Sequence, residues 1–277
     1  MNENRYALAA LDMDGTLLNT DHETTAFTRD ALRRVAQAGG VLALCTGRCL
    51  SELTEHLATL PGIAYAICEN GGSLYDVAAD RVLFQATIPD SDAGRILALT
   101  EGYDVVVQCF YGERSHLKTM APEDLARCHV LDYLAVFRQG SVEAPDIADR
   151  WRRSGLPMEK INLYFSGEAE RDGFLRAMGE MGLSVTGSLG IGLEISPPEA
   201  TKALGIAALC RHLDLPVARA MAVGDGHNDI DMMRGAGFSV AMGNAAPETK
   251  AAAHAITDDC DNDGCAKALL KYMLGGE

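Results

Sequence analysis

Short apolar runs alternate with helical patterns at both ends of this chain, and that alternation limits the folds open to it. Near the N-terminus, apolar runs over 6–11, 41–45 and 63–68 are separated by helical segments. The last third repeats the arrangement, with strands predicted over 220–223 and 238–242. Strands that alternate with helices form βαβ units and a parallel sheet. The sequence therefore predicts an α/β core, a Rossmann-like doubly wound parallel sheet built from both ends of the chain.

The middle of the chain follows a different pattern. Runs over 105–109 and 115–118 flank a hairpin-like stretch. Strands joined by short turns are typical of an antiparallel sheet. We therefore expect an α+β cap domain, an antiparallel sheet with helices, over 84–189. It would be inserted into a core formed by 1–83 and 190–277.

Charge and hydropathy exclude several classes of protein. The 277 residues contain 24 Lys and Arg against 39 Asp and Glu, a formal net charge of −15. Nucleic-acid binding and attachment to an anionic membrane both favour basic surfaces, so we expect neither. No apolar run reaches the roughly 18 residues that span a bilayer. We therefore expect a cytoplasmic protein whose eight cysteines are reduced core residues rather than zinc ligands.

Two acidic residues directly follow the first predicted strand. Asp12 and Asp14 lie two positions apart, so in extended chain their side chains point to the same side. Burying two carboxylates together is costly unless a cation balances them, and Mg²⁺ prefers oxygen ligands. Gly15 permits a sharp turn out of the strand. The alternative interpretation is an Asx turn at the strand end.

A second polar segment, Gly224–Asp229, follows the strand predicted over 220–223. It contains Asp225, Asn228 and Asp229, and its glycines allow a ligand to approach the backbone closely. The segment indicates either a metal site or a Gly-rich turn whose polar side chains cap the next helix.

Two further segments carry groups suited to phosphate. The strand over 41–45 is followed by Thr46, Gly47 and Arg48. They provide a hydroxyl, a backbone that a ligand can approach closely and a guanidinium, all suited to binding phosphate. Lys202 stands near a predicted helix start, where its charge opposes the helix dipole. Either a functional partner or plain solvation explains that lysine. In an open parallel sheet, one crevice beyond the strand ends could collect all of these groups.

Together, these motifs resemble the haloacid dehalogenase superfamily, and specifically its Cof-type phosphatases with a cap of the C2B type. The matching segments are 11–17, 46–48, 69–71, the region of Lys202, 223–230, 240–245 and 261–264. The segment between Thr46 and Lys202 is long enough for the large cap of this subgroup.

The resemblance implies a Mg²⁺-dependent phosphatase acting on a small phosphorylated metabolite, such as a sugar phosphate or a phosphorylated cofactor. Asp12 would form an aspartyl-phosphate, and Asp14 would serve as general acid and base. Mg²⁺ would be held by Asp12, the Asp14 backbone carbonyl and Asp225. Phosphate or substrate contacts would come from Thr46, Gly47, Arg48, Asn70, Lys202 and Asn228, while Asp229 would orient Lys202, the metal's waters or the phosphate.

Two other functions are compatible with the same residues. A phosphomutase, similar to phosphomannomutases, would return the phosphoryl group to a second hydroxyl. A non-catalytic metal-binding regulatory module would keep the fold without turnover. The presence of a competent residue at every candidate catalytic position favours an enzyme.

Overall fold

The structure, a computed structural model, describes residues 6–133, 140–188 and 190–275. The chain separates into two compact units. We call the first the α/β unit; it comprises Met1–Arg48, Thr54–Phe84 and Glu199–Glu277. The second, the inserted unit, comprises Cys49–Leu53 and Gln85–Pro198.

The strands of the described residues are, in chain order, β1 (Leu8–Leu11), β2 (Val41–Cys45), β3 (Ile63–Cys68), β4 (Ser73–Asp76), β5 (Arg81–Gln85), β6 (Val105–Tyr111), β7 (Arg114–Lys118), β8 (Ser141–Ala144), β9 (Lys160–Phe165), β10 (Ser184–Ser188), β11 (Gly192–Ser196), β12 (Ala220–Gly224), β13 (Phe238–Ala241) and β14 (Ala255–Ile256). The α-helices are α1 (Ala26–Gln37), α2 (Thr54–Thr59), α3 (Asp90–Thr100), α4 (Pro122–Arg127), α5 (Ile147–Ser154), α6 (Glu168–Met178), α7 (Lys202–His212), α8 (Ile230–Gly235), α9 (Pro247–Ala252) and α10 (Gly264–Met273).

The α/β unit is built on one sheet with the order β14-β13-β12-β1-β2-β3-β4-β5. Strands β14 to β3 pair in parallel, and β4 runs antiparallel to β3. β1 is buried along its whole length because its sheet lies inside the unit. The predicted α/β fold is confirmed. The β4–β5 pair adds two further strands to this sheet, in a region where the sequence predicts none.

The register of the central strands aligns their carboxyl ends. Leu11, the last residue of β1, lies opposite Val223 on β12 and Leu44 on β2. The segments after these three strands therefore leave the sheet on the same side, at the carboxyl ends of the strands. Each of those segments carries residues expected in a site, so the register places them within reach of one another.

The inserted unit contains a second sheet with the order β10-β11-β9-β6-β7-β8. Its pairs are antiparallel except β7 with β8, which are parallel. Helices α3, α5 and α6 cover one face through a buried cluster that includes Ile96, Trp151 and Phe174. The expected boundary at 190 falls before β11, whereas the unit ends at Pro198, because β11 pairs with β9 and β10.

The structure also describes the surroundings of the cysteines and the lengths of the helices. All eight cysteines are buried and free of disulfide bonds, in agreement with their assignment to the core. Among the described residues, every helix is too short or too polar to cross a lipid bilayer.

Candidate active site

The segment after β1 turns sharply and buries its first acidic residue. The Asp12 amide donates to the Val223 carbonyl at 2.9 Å, which continues the pairing of β1 with β12 for one residue. Asp12 is 7% exposed. Gly15 has a φ of +76°, and a Cβ there would lie 2.5 Å from Asp225 Oδ2. Glycine is therefore required at position 15, because the backbone lies against the Asp225 carboxylate.

Lys202 lies at the first position of α7 and joins two acidic residues. Its Nζ donates to Asp12 Oδ1 at 2.6 Å and to Asp229 Oδ1 at 2.5 Å. The side chains of Lys202 and Asp229 are fully buried. Lys202 is therefore not the solvated lysine of the alternative interpretation. α7 begins here because the Thr201 hydroxyl caps it, accepting from the Leu204 amide at 3.2 Å.

Burial and the neighbouring charges both shift the pKa values of Asp12 and Lys202. Burial raises the pKa of Asp12 above its usual range, Lys202 lowers it, and the Asp229 carboxylate raises it again. Burial lowers the pKa of Lys202, but Asp12 and Asp229 outweigh burial, so the net shift is upward. Lys202 therefore stays charged, while the ionised form of Asp12 depends on positive charge beside it.

The segment after β12 holds Asp229 and Asp225 in fixed positions. Asp229 Oδ2 accepts from the amides of Asp225 and Gly226 at 2.9 Å and 2.8 Å. Asp225 Oδ1 accepts from the Thr16 hydroxyl at 2.7 Å. Burial raises the pKa of Asp225, the Thr16 hydrogen bond lowers it, and Asp229 raises it. The segment thus presents two carboxylates toward the end of β1.

The acidic cluster fits a divalent cation. Asp12, Asp225 and Asp229 each offer an oxygen, and these atoms lie within 4.8 Å of one another. Three carboxylates against the one ammonium of Lys202 leave an excess of negative charge. The Asp229 side chain is fully buried, whereas those of Asp12 and Asp225 keep some exposure. An oxygen-only donor set of this charge suits Mg²⁺.

Asp14 stands apart from that cluster. Its side chain is 47% exposed and forms a two-point ion pair with Arg48, with Nε–Oδ2 at 2.9 Å and Nη2–Oδ1 at 2.5 Å. Arg48 Nη1 also lies 3.3 Å from His56 Nε2. In extended chain the Asp12 and Asp14 side chains would point the same way, but the turn at Gly15 follows so closely that only Asp12 joins Lys202.

The segments after β2 and β3 lie against each other. The Thr46 carbonyl accepts from the Asn70 amide at 2.9 Å, and its hydroxyl accepts from the Arg48 amide at 3.2 Å. A Cβ on Gly47 would lie 3.3 Å from Asn70 Oδ1. Asn70 Oδ1 in turn accepts from Asn228 Nδ2 at 3.1 Å. The structure therefore brings Thr46, Gly47, Asn70 and Asn228 together.

Left-handed backbone marks the segment after β3. Glu69 and Asn70 have φ of +54° and +55°, and Gly71 has +97°. Such conformations are unfavourable for side chains other than glycine and asparagine, and they concentrate at functional sites. A Cβ on Gly71 would lie 2.0 Å from the Thr201 carbonyl oxygen, so this segment packs directly on the start of α7. That contact fixes the position of Lys202.

One polar residue of the site was given no role in the sequence analysis. Asn244 Nδ2 donates to the Gly15 carbonyl at 2.8 Å and to Asp225 Oδ2 at 3.2 Å. Its Oδ1 accepts from the Cys260 amide at 3.0 Å. The only available signal was its place in a family-like segment after β13. Asn244 thus ties three loops together around Asp225.

Comparison with known proteins agrees with this geometry. A family model described as haloacid dehalogenase-like hydrolase matches residues 9–269, and the chain belongs to that family. The expected resemblance to Cof-type phosphatases is confirmed, as is the enzyme class, a phosphoric monoester hydrolase.

Individual relatives match over most of the chain. The 5-amino-6-(5-phospho-D-ribitylamino)uracil phosphatase YcsE of Bacillus subtilis is 30% identical over 271 residues, covering 96% of each chain. The HMP-PP phosphatase of Serratia proteamaculans is 30% identical over 250 residues, covering 88% of this chain and 86% of its own. A solved phosphatase of the haloalkanoate enzyme superfamily from Bacteroides thetaiotaomicron superposes with a TM-score of 0.81 at 27% identity, covering 98% of this chain and 96% of its own.

Proposed function

We propose that this protein is a Mg²⁺-dependent phosphatase that hydrolyses small phosphorylated metabolites through an aspartyl-phosphate on Asp12. The observation that carries the proposal is the contact of the buried Lys202 ammonium with Asp12 and Asp229. This contact fixes a carboxylate at the end of β1 and places positive charge beside it. The relatives named as phosphatases support the same reaction.

In the first step, a carboxylate oxygen of Asp12 attacks phosphorus, and the bond from phosphorus to the ester oxygen breaks. Asp14 donates a proton to the departing alkoxide, which leaves as the alcohol. Asp14 can reach that role only after its carboxylate leaves Arg48, with which it is paired in this structure. Lys202 offsets the repulsion between the Asp12 carboxylate and the phosphate dianion.

In the second step, water attacks the phosphorus of the aspartyl-phosphate while Asp14 accepts a proton from that water. The bond from phosphorus to the Asp12 oxygen breaks, inorganic phosphate leaves, and the carboxylate is restored. Thr46 and Asn70 lie beside the strand ends, where they can donate to the phosphoryl oxygens. Asn228, bonded to Asn70, supports that arrangement.

Asp12, Asp225 and the Asp14 backbone carbonyl would hold Mg²⁺, which would supply positive charge to the phosphoryl group and keep Asp12 ionised. Sugar phosphates are the first substrate class to test, and phosphorylated cofactors are the second. The named substrates of the relatives, a phosphorylated ribitylaminouracil and HMP-PP, belong in the same panel.

Removing the metal is expected to abolish turnover. Protein treated with EDTA should release no phosphate from p-nitrophenyl phosphate or from the metabolite panel, and added Mg²⁺ should restore release. The physical reason is that the cluster carries more negative than positive charge without a cation. Failure to release phosphate from any ester in the presence of Mg²⁺ would contradict the proposal, and isomerisation of a sugar phosphate without release would favour a phosphomutase.

Replacing Asn244 by alanine is expected to weaken Mg²⁺ binding by roughly tenfold or more, because residues that orient a metal ligand affect affinity on that scale. The variant loses the Asn244 contacts with Asp225 and Gly15. The measurement is Mg²⁺ titration by calorimetry, without substrate. Asn262→Ala is the matched control, because within the part of the chain that the structure describes the Asn262 side chain bonds Asp259 alone. Equal Mg²⁺ affinity in Asn244→Ala and the wild type would contradict the assignment.

A further inference from the structure

The inserted unit contains a cavity that lies outside the candidate active site. Its volume is about 680 Å³, and its described lining comes from the β6–β7 hairpin, the end of β8 and helix α5 with the residues after it. Small-molecule sites commonly have volumes of roughly 300–1,000 Å³. All of the described lining residues belong to the inserted unit.

Three guanidinium groups line this cavity in a chain whose net charge is −15. Arg153 pairs with Asp149 at 3.0 Å. Arg114 and Arg150 have no carboxylate partner within residues 6–133, 140–188 and 190–275. Two guanidinium groups without a paired carboxylate around one cavity favour an anionic occupant, because arginine binds carboxylates and phosphates through paired hydrogen bonds.

The two aspartates in the lining do not cancel this positive charge. Asp149 is paired with Arg153, and Asp146 caps α5 by accepting from the Asp149 amide at 2.8 Å. Burial lowers the pKa of His116, the hydrogen bond to the Tyr111 backbone raises it, and Arg150 and Arg114 lower it; the result is a pKa of about 4, so the imidazole is neutral near pH 7. Three positive groups thus face two negative ones.

Two of the lining residues, Tyr111 and His116, form a stacked pair of rings. The rings of Tyr111 and His116 are 3.7 Å apart with an interplanar angle of 3°. His116 Nε2 lies 3.2 Å from the Tyr111 carbonyl oxygen, so Nε2 carries the proton and Nδ1 is an acceptor. His116 is 5% exposed, and its Nδ1 has no hydrogen-bond partner in the part of the chain that is described. Buried acceptors are normally satisfied, so this one points to a missing donor.

We propose that the inserted unit binds a small organic anion in this cavity, with its phosphate or carboxylate group held by Arg114 and Arg150. The apolar part of the ligand packs on Leu156, whose side chain lines the cavity and is 45% exposed. Its described lining shares no residue with the candidate active site, and the proposal does not depend on the function proposed for Asp12 and its neighbours.

The chain carries a natural reporter for such binding. Trp151 is the single tryptophan of the sequence. It lies on α5 between Arg150 and Arg152, is 5% exposed, and its indole Nε1 donates to the Leu156 carbonyl at 2.9 Å. A ligand that contacts Leu156 and Arg150 therefore changes the surroundings of the only indole, and its fluorescence can be followed directly.

The test is a titration of the full chain in EDTA with benzylphosphonate and, separately, phenylacetate, followed through Trp151 fluorescence. These probes share an apolar ring and differ in the anion, so they distinguish phosphate from carboxylate recognition. A saturable change with a Kd below about 1 mM is expected for at least one of them, and none for benzyl alcohol. Arg114→Gln and Arg150→Gln should each raise that Kd at least about tenfold, the scale of a lost charge-assisted bond.

Arg152→Gln is the matched control, because Arg152 stands on the same helix but outside the lining. It should bind as the wild type does. A wild-type chain with no saturable change up to about 10 mM of either anion overturns the proposal. So does equal binding in Arg150→Gln and Arg152→Gln. All three arginines are exposed, so the variants should fold, and equal thermal midpoints would verify this.

Discussion

Replacing Asp12 by asparagine is expected to lower kcat/KM for phosphate esters by about 10⁴-fold or more, because the attacking carboxylate oxygen is lost. The amide has nearly the same shape and can still accept from Lys202, so the fold should persist. The measurement is initial-rate phosphate release with saturating Mg²⁺, combined with mass spectrometry of acid-quenched protein. Wild-type protein should carry one phosphoryl group after the quench, and Asp12→Asn should carry none.

The matched control for this experiment is Asp30→Asn. Asp30 lies on α1 with its side chain 54% exposed and forms an i,i+3 pair with Arg33. Its variant should keep the wild-type rate within a factor of about two, since exposed ion pairs contribute little. An Asp12→Asn enzyme within tenfold of the wild type would remove Asp12 from the role of nucleophile.

Replacing Lys202 by methionine is expected to lower the free energy of unfolding by about 3–5 kcal/mol, the usual cost of leaving a buried charge without its partner. The methionine keeps most of the side-chain length, but Asp12 and the fully buried Asp229 lose their counter-charge. The measurement is urea unfolding in EDTA, so that no cation can replace the ammonium. Activity should fall as well, because Lys202 offsets the repulsion between nucleophile and phosphate.

A second substitution separates charge from packing. Lys202→Met combined with Asp229→Asn removes one of the uncompensated carboxylates and should regain part of the lost stability, while activity stays low. If Lys202→Met alone unfolds at the wild-type urea concentration, the buried ion pairs do not have the role that the geometry gives them. If the double variant is less stable than the single one, the loss comes from packing rather than charge.

The sequence was most informative about the buried strands and about the acidic residues that directly follow them. Residues 41–45 and 63–68 were predicted as strands and form β2 and β3, because a parallel strand covered on both faces must be continuously apolar. The start of α1 is also marked in the sequence, because Thr25 is a residue type that favours the N-cap and its hydroxyl accepts from the Thr28 amide. Asp12 and Asp225 follow such strands directly, and their carboxylates lie close together in the structure.

Contacts between loops were beyond the reach of sequence patterns. Asn244 approaches Asp225 and Gly15 only because β13 and β12 lie side by side, and its sequence neighbours do not indicate either partner. The ion pair between Arg48 and Asp14 depends on how the Gly15 turn directs one side chain. Such contacts depend on how the strands are aligned in the folded protein. The periodicity of the sequence does not specify that alignment.

The sequence predicts an inserted domain over 84–189, and the second compact unit of the structure includes Gln85–Pro198. Gly192–Ser196 has the composition of a strand and could belong to either sheet. Its antiparallel pairing with β9 and β10 assigns it to the inserted unit. The choice between two sheets is made by hydrogen bonding with distant strands, so local residues could not decide it.

The position of β1 has a consequence for biosynthesis. One neighbour of β1 is β2, made early, and the other is β12, which the ribosome supplies only after the whole inserted unit has been translated. Until then, β1 exposes an unpaired edge of Leu and Ala, the kind of edge that recruits foreign strands. Nascent chains of this protein are therefore most vulnerable to aggregation between the emergence of β1 and that of β12. A stalled or shortened product lacking residues beyond 219 would keep that edge open permanently.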